Sequence, residues 1–148
     1  MRAMFFSKEA QRIRRILIVE DEPLLAFDVE HTLQTAGYEV VATVDRFREA
    51  TAIILQQGSV DLVITDVRLA GVRSGVELAR HACQLGIAVL FATAYCPEEA
   101  QERDIALGCL AKPFLPRDLV RAINVCERLV GSRLPGRLPP GLTVFQRS

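Results

Sequence analysis

Two apolar runs, each ending on carboxylates, constrain this chain more than any other feature. The first is Arg15-Ile16-Leu17-Ile18-Val19-Glu20-Asp21-Glu22 and the second is Val60-Asp61-Leu62-Val63-Ile64-Thr65-Asp66. Short runs rich in Ile and Val, each followed by a helical pattern, read as central strands of a parallel sheet. Ligand sites in such sheets lie at the carboxyl ends of the strands. The pattern therefore gathers several acidic side chains at the edge where chemistry is expected.

Punctuation along the chain predicts five strand–helix repeats. Strand one, about 15–19, feeds a helix opened by Pro23, with an apolar face at Leu25, Val29, Leu33 and Ala36 and a stop at Gly37. Strand two runs from Tyr38 to Val44, and Asp45 is placed to cap a helix through about Gln57, closed by Gly58. Strand three, 60–65, precedes Ser74-Gly75-Val76-Glu77, which has capping-box spacing and starts a helix ending before Gly86. Strand four is 87–92, with a helix start at Pro97-Glu98-Glu99. Cys109-Leu110-Ala111 is a short fifth strand, and Pro116 opens a last helix ending near Gly131. This alternation predicts a doubly wound α/β domain with helices on both faces of the sheet.

The 148 residues suit one domain. The reading divides them into a basic extension at 1–13, a folded domain at 14–130 and a Pro/Gly-rich tail at 131–148. The tail reads as disordered, with Leu142-Thr143-Val144-Phe145 the segment able to add to a sheet edge or bind a partner. Ser7 to Arg12 has helix propensity. No apolar run approaches the roughly 18 residues of a membrane span, and no apolar h-region opens the chain, so a cytoplasmic protein without a membrane role is expected.

Net charge is zero but uneven: residues 16–127 carry 9 basic and 17 acidic side chains, whereas both ends are basic. An acidic body suits a divalent cation and argues against nucleic acid on that surface. The ends read as solvated. Cys83, Cys96, Cys109 and Cys126 show no metal-binding spacing with one another or with His31 and His81. They are expected to be buried free thiols, with no disulfide.

Glu20, Asp21 and Asp66 would crowd together at the ends of neighbouring strands, where unpaired carboxylates repel. An oxygen-ligated Mg²⁺ resolves the repulsion and offsets the charge of an incoming phosphoryl group. An Asp of the cluster can then act as the nucleophile and form an acyl phosphate. Thr93 after strand four supplies a hydroxyl. Lys112 after strand five, one of two lysines beside sixteen arginines, supplies a compact cation. Proline permits a cis Lys112-Pro113 bond, which would aim the lysine inward. Any one of these residues could be an ordinary helix cap or solvated strand end; the ordered set points to chemistry.

From about Arg14 to Arg128 the chain resembles the receiver domain of two-component response regulators. The resemblance rests on Glu20-Asp21, Asp66, Thr93-Ala94 and Lys112-Pro113-Phe114. It implies a flavodoxin-like sheet of order 2-1-3-4-5, with Asp66 as phosphoacceptor for a histidine kinase or histidine phosphotransfer protein. It further implies Mg²⁺ held by Asp21, Asp66 and the backbone carbonyl of Arg68, with Glu20 as an outer acid. Thr93 and Lys112 would sense the phosphoryl group. A homodimer through the fourth and fifth helices is also a family expectation.

Departures from that pattern matter. Cys109 stands where receivers usually carry Tyr or Phe on strand five. Phe91-Ala92-Thr93-Ala94-Tyr95 resembles the FATGUY subgroup, which also lacks that ring, with Ala94 in place of its Gly; Tyr95 is the proposed substitute switch ring. Leu69-Ala70 replaces Met-Pro, and the following loop is one residue longer. Arg68 and Arg73 read as solvated loop charges. The reading is a stand-alone phosphoreceiver that signals through a partner and is not a metabolic enzyme. The alternative is a phosphorylation-independent interaction module. A flavodoxin-fold enzyme would want a Gly-rich phosphate loop, and a phosphatase an Asp-x-Asp motif, neither of which is present. A helix-turn-helix does not fit beyond residue 131.

Overall fold

The structure is a computed structural model that describes residues 12–56 and 58–145. Five parallel strands, β1 (Arg15–Val19), β2 (Glu39–Val44), β3 (Leu62–Thr65), β4 (Ala88–Thr93) and β5 (Gly108–Ala111), alternate with five helices. These are α1 (Pro23–Thr35), α2 (Phe47–Ile54), α3 (Ser74–Gln84), α4 (Ala100–Arg103) and α5 (Pro116–Val130). A sixth strand, β6 (Leu142–Val144), pairs antiparallel with β5, giving the order β2-β1-β3-β4-β5-β6.

The continuous apolar runs exist because both sheet faces are covered. Strand side chains alternate faces. Ile16, Ile18, Leu62, Ile64, Leu90 and Leu110 therefore meet Val29 and Leu33 of α1 and Leu119 and Ile123 of α5. Leu17, Val19, Val63, Val89 and Phe91 meet Ala50 and Ile54 of α2 and Val76, Leu78 and Ala79 of α3. Reversal of strand order between β1 and β3 places the topological switch point at their carboxyl ends.

Several local expectations fail. Asp45 does not cap α2, which starts after Arg46; Asp45 lies 3.8 Å from the Arg46 guanidinium instead. Ser74 is the first residue of α3 and makes no capping bond, because the entering backbone is held by Gly75 N–H donating to the Val67 carbonyl at 3.0 Å. Pro97-Glu98-Glu99 precedes α4 rather than starting it, and α4 has only four residues.

In place of the expected disorder, the tail's Leu142–Val144 adds to the sheet edge, the alternative reading of that segment. Ala111 N–H donates to the Gly141 carbonyl and Phe145 N–H to the Leu107 carbonyl, both at 2.9 Å. Leu142 and Phe145 are buried. Gly108 makes this approach possible, since a Cβ there would lie 2.4 Å from the Thr143 carbonyl oxygen. At the other end of the domain, Ile13 N–H donates to Glu127 Oε1 at 2.8 Å. Expectations for residues 1–11 lie outside the described residues.

The cysteine expectation is also corrected. Cys96 and Cys109 form a disulfide, with Cα atoms 5.9 Å apart, while Cys83 and Cys126 are free. Their separation of 13 residues is no recognised motif; the β4–α4–β5 crossover brings them together.

Candidate functional site

Glu20 and Asp21 follow β1, and Asp66 follows β3. Val19 pairs with Thr65, so the acids leave the two strands side by side. The Asp66 N–H donates to the Val19 carbonyl at 3.2 Å, and the Glu20 N–H to the Val44 carbonyl at 2.9 Å. One carboxylate oxygen from each of Glu20, Asp21 and Asp66 lies within 4.8 Å of the others. Glu20 is buried, Asp66 half-buried and Asp21 exposed.

Lys112 reaches this cluster from the end of β5. Its Nζ lies 2.7 Å from Asp66 Oδ2 and 2.8 Å from Glu20 Oε1. The Lys112-Pro113 bond is cis. The Lys112 N–H donates to the Thr93 carbonyl at 2.9 Å, which ties the ends of β4 and β5 together. Thr93 is buried at 6% exposure, facing the same cleft as the acids. The cleft has a volume of about 620 Å³ and is also lined by Pro23, Arg68, Ala94 and Tyr95.

Electrostatics set the charge states. Burial pushes the Glu20 carboxyl above its ordinary value, and the contacts with Lys112 offset this only in part. Burial pulls Lys112 down, but hydrogen bonds to Asp66 and Glu20 outweigh it, so the ammonium is held above its ordinary value. Three carboxylates thus face one ammonium. That excess of oxygen-donor negative charge fits a hard divalent cation such as Mg²⁺.

The loop after β3 completes the rim. Arg68 N–H donates to Asp66 Oδ1 at 3.3 Å, and its guanidinium reaches the Gly71 carbonyl at 3.2 Å. Ala70 has a left-handed φ of 54° and donates its N–H to Asp21 Oδ2 at 2.8 Å, an anchor that no motif in the sequence signals. Arg73 is drawn away, pairing with Glu102 of α4. Tyr95 sits on the rim with 88% of its surface exposed.

Residues 16–124 match the response regulator receiver domain family. The chain belongs to that family. It is 32% identical over 118 residues to the phyllosphere-induced regulator PhyR of Methylorubrum extorquens, covering 78% of this chain and 44% of the relative. It is 34% identical over 116 residues to the transcriptional regulatory protein PdtaR of Mycobacterium tuberculosis, covering 76% and 56%. The chain therefore spans about half the length of these relatives. A CheY-like receiver domain protein from Methanospirillum hungatei superposes with TM-score 0.68 at 26% identity, covering 81% of this receiver and 98% of that chain. The response regulator TrrA of Thermotoga maritima, solved with Mg²⁺ and BeF, gives 0.66 at 29% identity, covering 76% and 97%. Receiver domains are signalling modules of two-component systems. Among the described residues, no helix is long and apolar enough to cross a membrane.

Proposed function

We propose that this receiver accepts a phosphoryl group on Asp66 from a histidine kinase or histidine phosphotransfer protein and passes the signal to a partner protein. The observation that carries the reading is the convergence of Lys112 on Asp66 and Glu20 beside Asp21, at the switch point of the sheet. A carboxylate oxygen of Asp66 attacks the phosphorus as the bond to the donor's leaving group breaks, giving an acyl phosphate. Glu20, Asp21, Asp66 and the Arg68 carbonyl are the groups that would hold Mg²⁺. The ion would offset negative charge on the transferring phosphoryl group. Lys112 already touches Asp66 Oδ2 and is placed to bind a phosphoryl oxygen in a charge-assisted contact, with Thr93 lining the same cleft.

The consequence is a population shift rather than a metabolic reaction. The two contacts bias the β4 end and its loop toward a second conformation, with Tyr95 as the ring that turns inward. Incubation with acetyl phosphate, read by intact mass, tests the reading. A Mg²⁺-dependent gain of about 80 Da is expected, absent in Asp66→Asn. No gain in the presence of Mg²⁺, together with no beryllofluoride complex, would favour a phosphorylation-independent interaction module.

A further inference from the structure

The Cys96–Cys109 bond joins two places whose relative movement matters to the site. Cys109 lies in the middle of β5, fully buried, flanked by Phe91 of β4 and Thr143 of β6. Cys96 is half-buried and lies three residues beyond Thr93, in the loop that carries Ala94 and Tyr95 over the cleft. That loop is already held at its start by Lys112 N–H bonding the Thr93 carbonyl. The disulfide holds its far end.

The same bond closes a loop around α4. With four residues, α4 is too short to persist on its own hydrogen bonds. Its attachments are side-chain contacts: Glu102 with Arg73, the Arg103 guanidinium 4.7 Å from the Phe145 ring centre, and the disulfide just before it. Arg73 follows the loop of Asp66, so these contacts link α4 to the chain on both sides of the site. The disulfide is the covalent one.

We propose that Cys96–Cys109 is a reversible thiol–disulfide site that controls how freely the segment from Ala94 to Leu107 moves over the phosphoryl-acceptor cleft. The reactant is a low-molecular-weight thiol of the glutathione class. Its thiolate attacks Cys96 Sγ, the accessible sulfur, and the bond to Cys109 breaks. Cys109 leaves as a thiolate and takes up a proton. A second thiolate attacks the small-molecule sulfur of the mixed disulfide, leaving Cys96 as a thiol and releasing the small-molecule disulfide. Two electrons enter the protein and two thiols are consumed; the small-molecule disulfide drives the reverse reaction. The oxidised receiver has a covalently tethered loop, and in the reduced receiver only the non-covalent contacts hold it.

The effect on signalling rests on the phosphoacceptor reading, but the effect on loop motion does not. The test is amide hydrogen exchange over residues 94–107 in the full chain, after equilibration with oxidised or reduced glutathione. Differential alkylation and peptide mass report the bond itself. We expect the 96–109 cross-link in oxidised chain and exchange faster by about tenfold or more on reduction. Cys96→Ser should exchange at the fast rate in both buffers. Failure to form the cross-link in oxidised glutathione, or equal exchange in the two redox states of the wild-type chain, would overturn the proposal. If acetyl phosphate leaves Asp66 unmodified in both redox states, the phosphoacceptor reading fails, and the exchange result alone decides the redox site.

Discussion

Gly75 lies directly against Asp66: a Cβ built on Gly75 would stand 1.7 Å from the Asp66 backbone oxygen and 2.8 Å from that of Val67. Both obstacles are main chain, so neither can rotate away. The first turn of α3 thus packs on the backbone that aims the Asp66 carboxylate. Gly75→Ala should displace Asp66, cost about 1–3 kcal/mol of stability, and slow phosphorylation by acetyl phosphate by about 10²-fold. Urea denaturation and the initial rate of adduct formation check this.

Lys112 is the sole ammonium in contact with the Glu20 and Asp66 carboxylates among the described residues. Lys112→Met should leave two mostly buried carboxylates facing each other, at a cost of about 3 kcal/mol. Mg²⁺ should recover more stability in the variant than in the wild type. The pH dependence has a defined sign. Glu20 is held above 4.5 in the fold, so its favourable protonated state is fully present below 4.5 and is lost as pH rises through its folded value. Without Lys112 that acid is harder still to ionise. The deficit should therefore shrink as pH falls from 7 toward 4.5. For Lys112 itself, held above 10.5, stabilisation is full below 10.5 and lost as pH rises through the folded value. Urea melts across pH measure both.

Phe145 anchors β6, buried to 5% exposure beneath Arg103. Phe145→Ala should cost about 3 kcal/mol, near the lower end for buried aromatics. Gly108→Ala should dislodge β6 without touching the tail's own sequence, because its Cβ meets the Thr143 backbone. In both variants the Ala111 amide, which donates to Gly141, should lose protection from hydrogen exchange.

Much of this was legible because it is local. Runs such as Ile16–Val19 and Leu62–Thr65 report full burial through composition alone, and a carboxylate at the end of each reports where the sheet is open. Glu20, Asp21, Asp66, Thr93 and Lys112 line one cleft, because each ends or follows a strand of the same parallel sheet. What was not legible depends on partners distant in sequence. Ser74 looks like a cap, but the Gly75 bond to Val67 decides how α3 begins. Leu142–Phe145 could be seen as able to join a sheet edge, but only the β5 edge beside it decides between that and disorder. Cys96 and Cys109 carry no spacing signal, since the crossover geometry pairs them. Ala70 gives no hint that its N–H will hold Asp21.

Cys126 offers a check on packing away from the site. Burial pushes its thiol up to about 12, so folding holds it protonated. That contribution is full below about 9 and is lost as pH rises from 9 toward 12. In oxidised, folded protein at pH 8, an aromatic disulfide reagent should label half-buried Cys83 and spare Cys126; both should react in denaturant. Rapid labelling of Cys126 in the native state would contradict the packing of α5.

Borohydride reduction separates Asp66 from every other acidic residue as the carrier of the phosphoryl group. Borohydride cleaves an acyl phosphate at its carbonyl and leaves homoserine in place of the aspartate. After treatment with acetyl phosphate and Mg²⁺, homoserine is expected at position 66 by peptide mass, at no other Asp or Glu, and none when Mg²⁺ is withheld. Homoserine elsewhere in the chain, or an acid-stable phosphate on a hydroxyl residue, would contradict it.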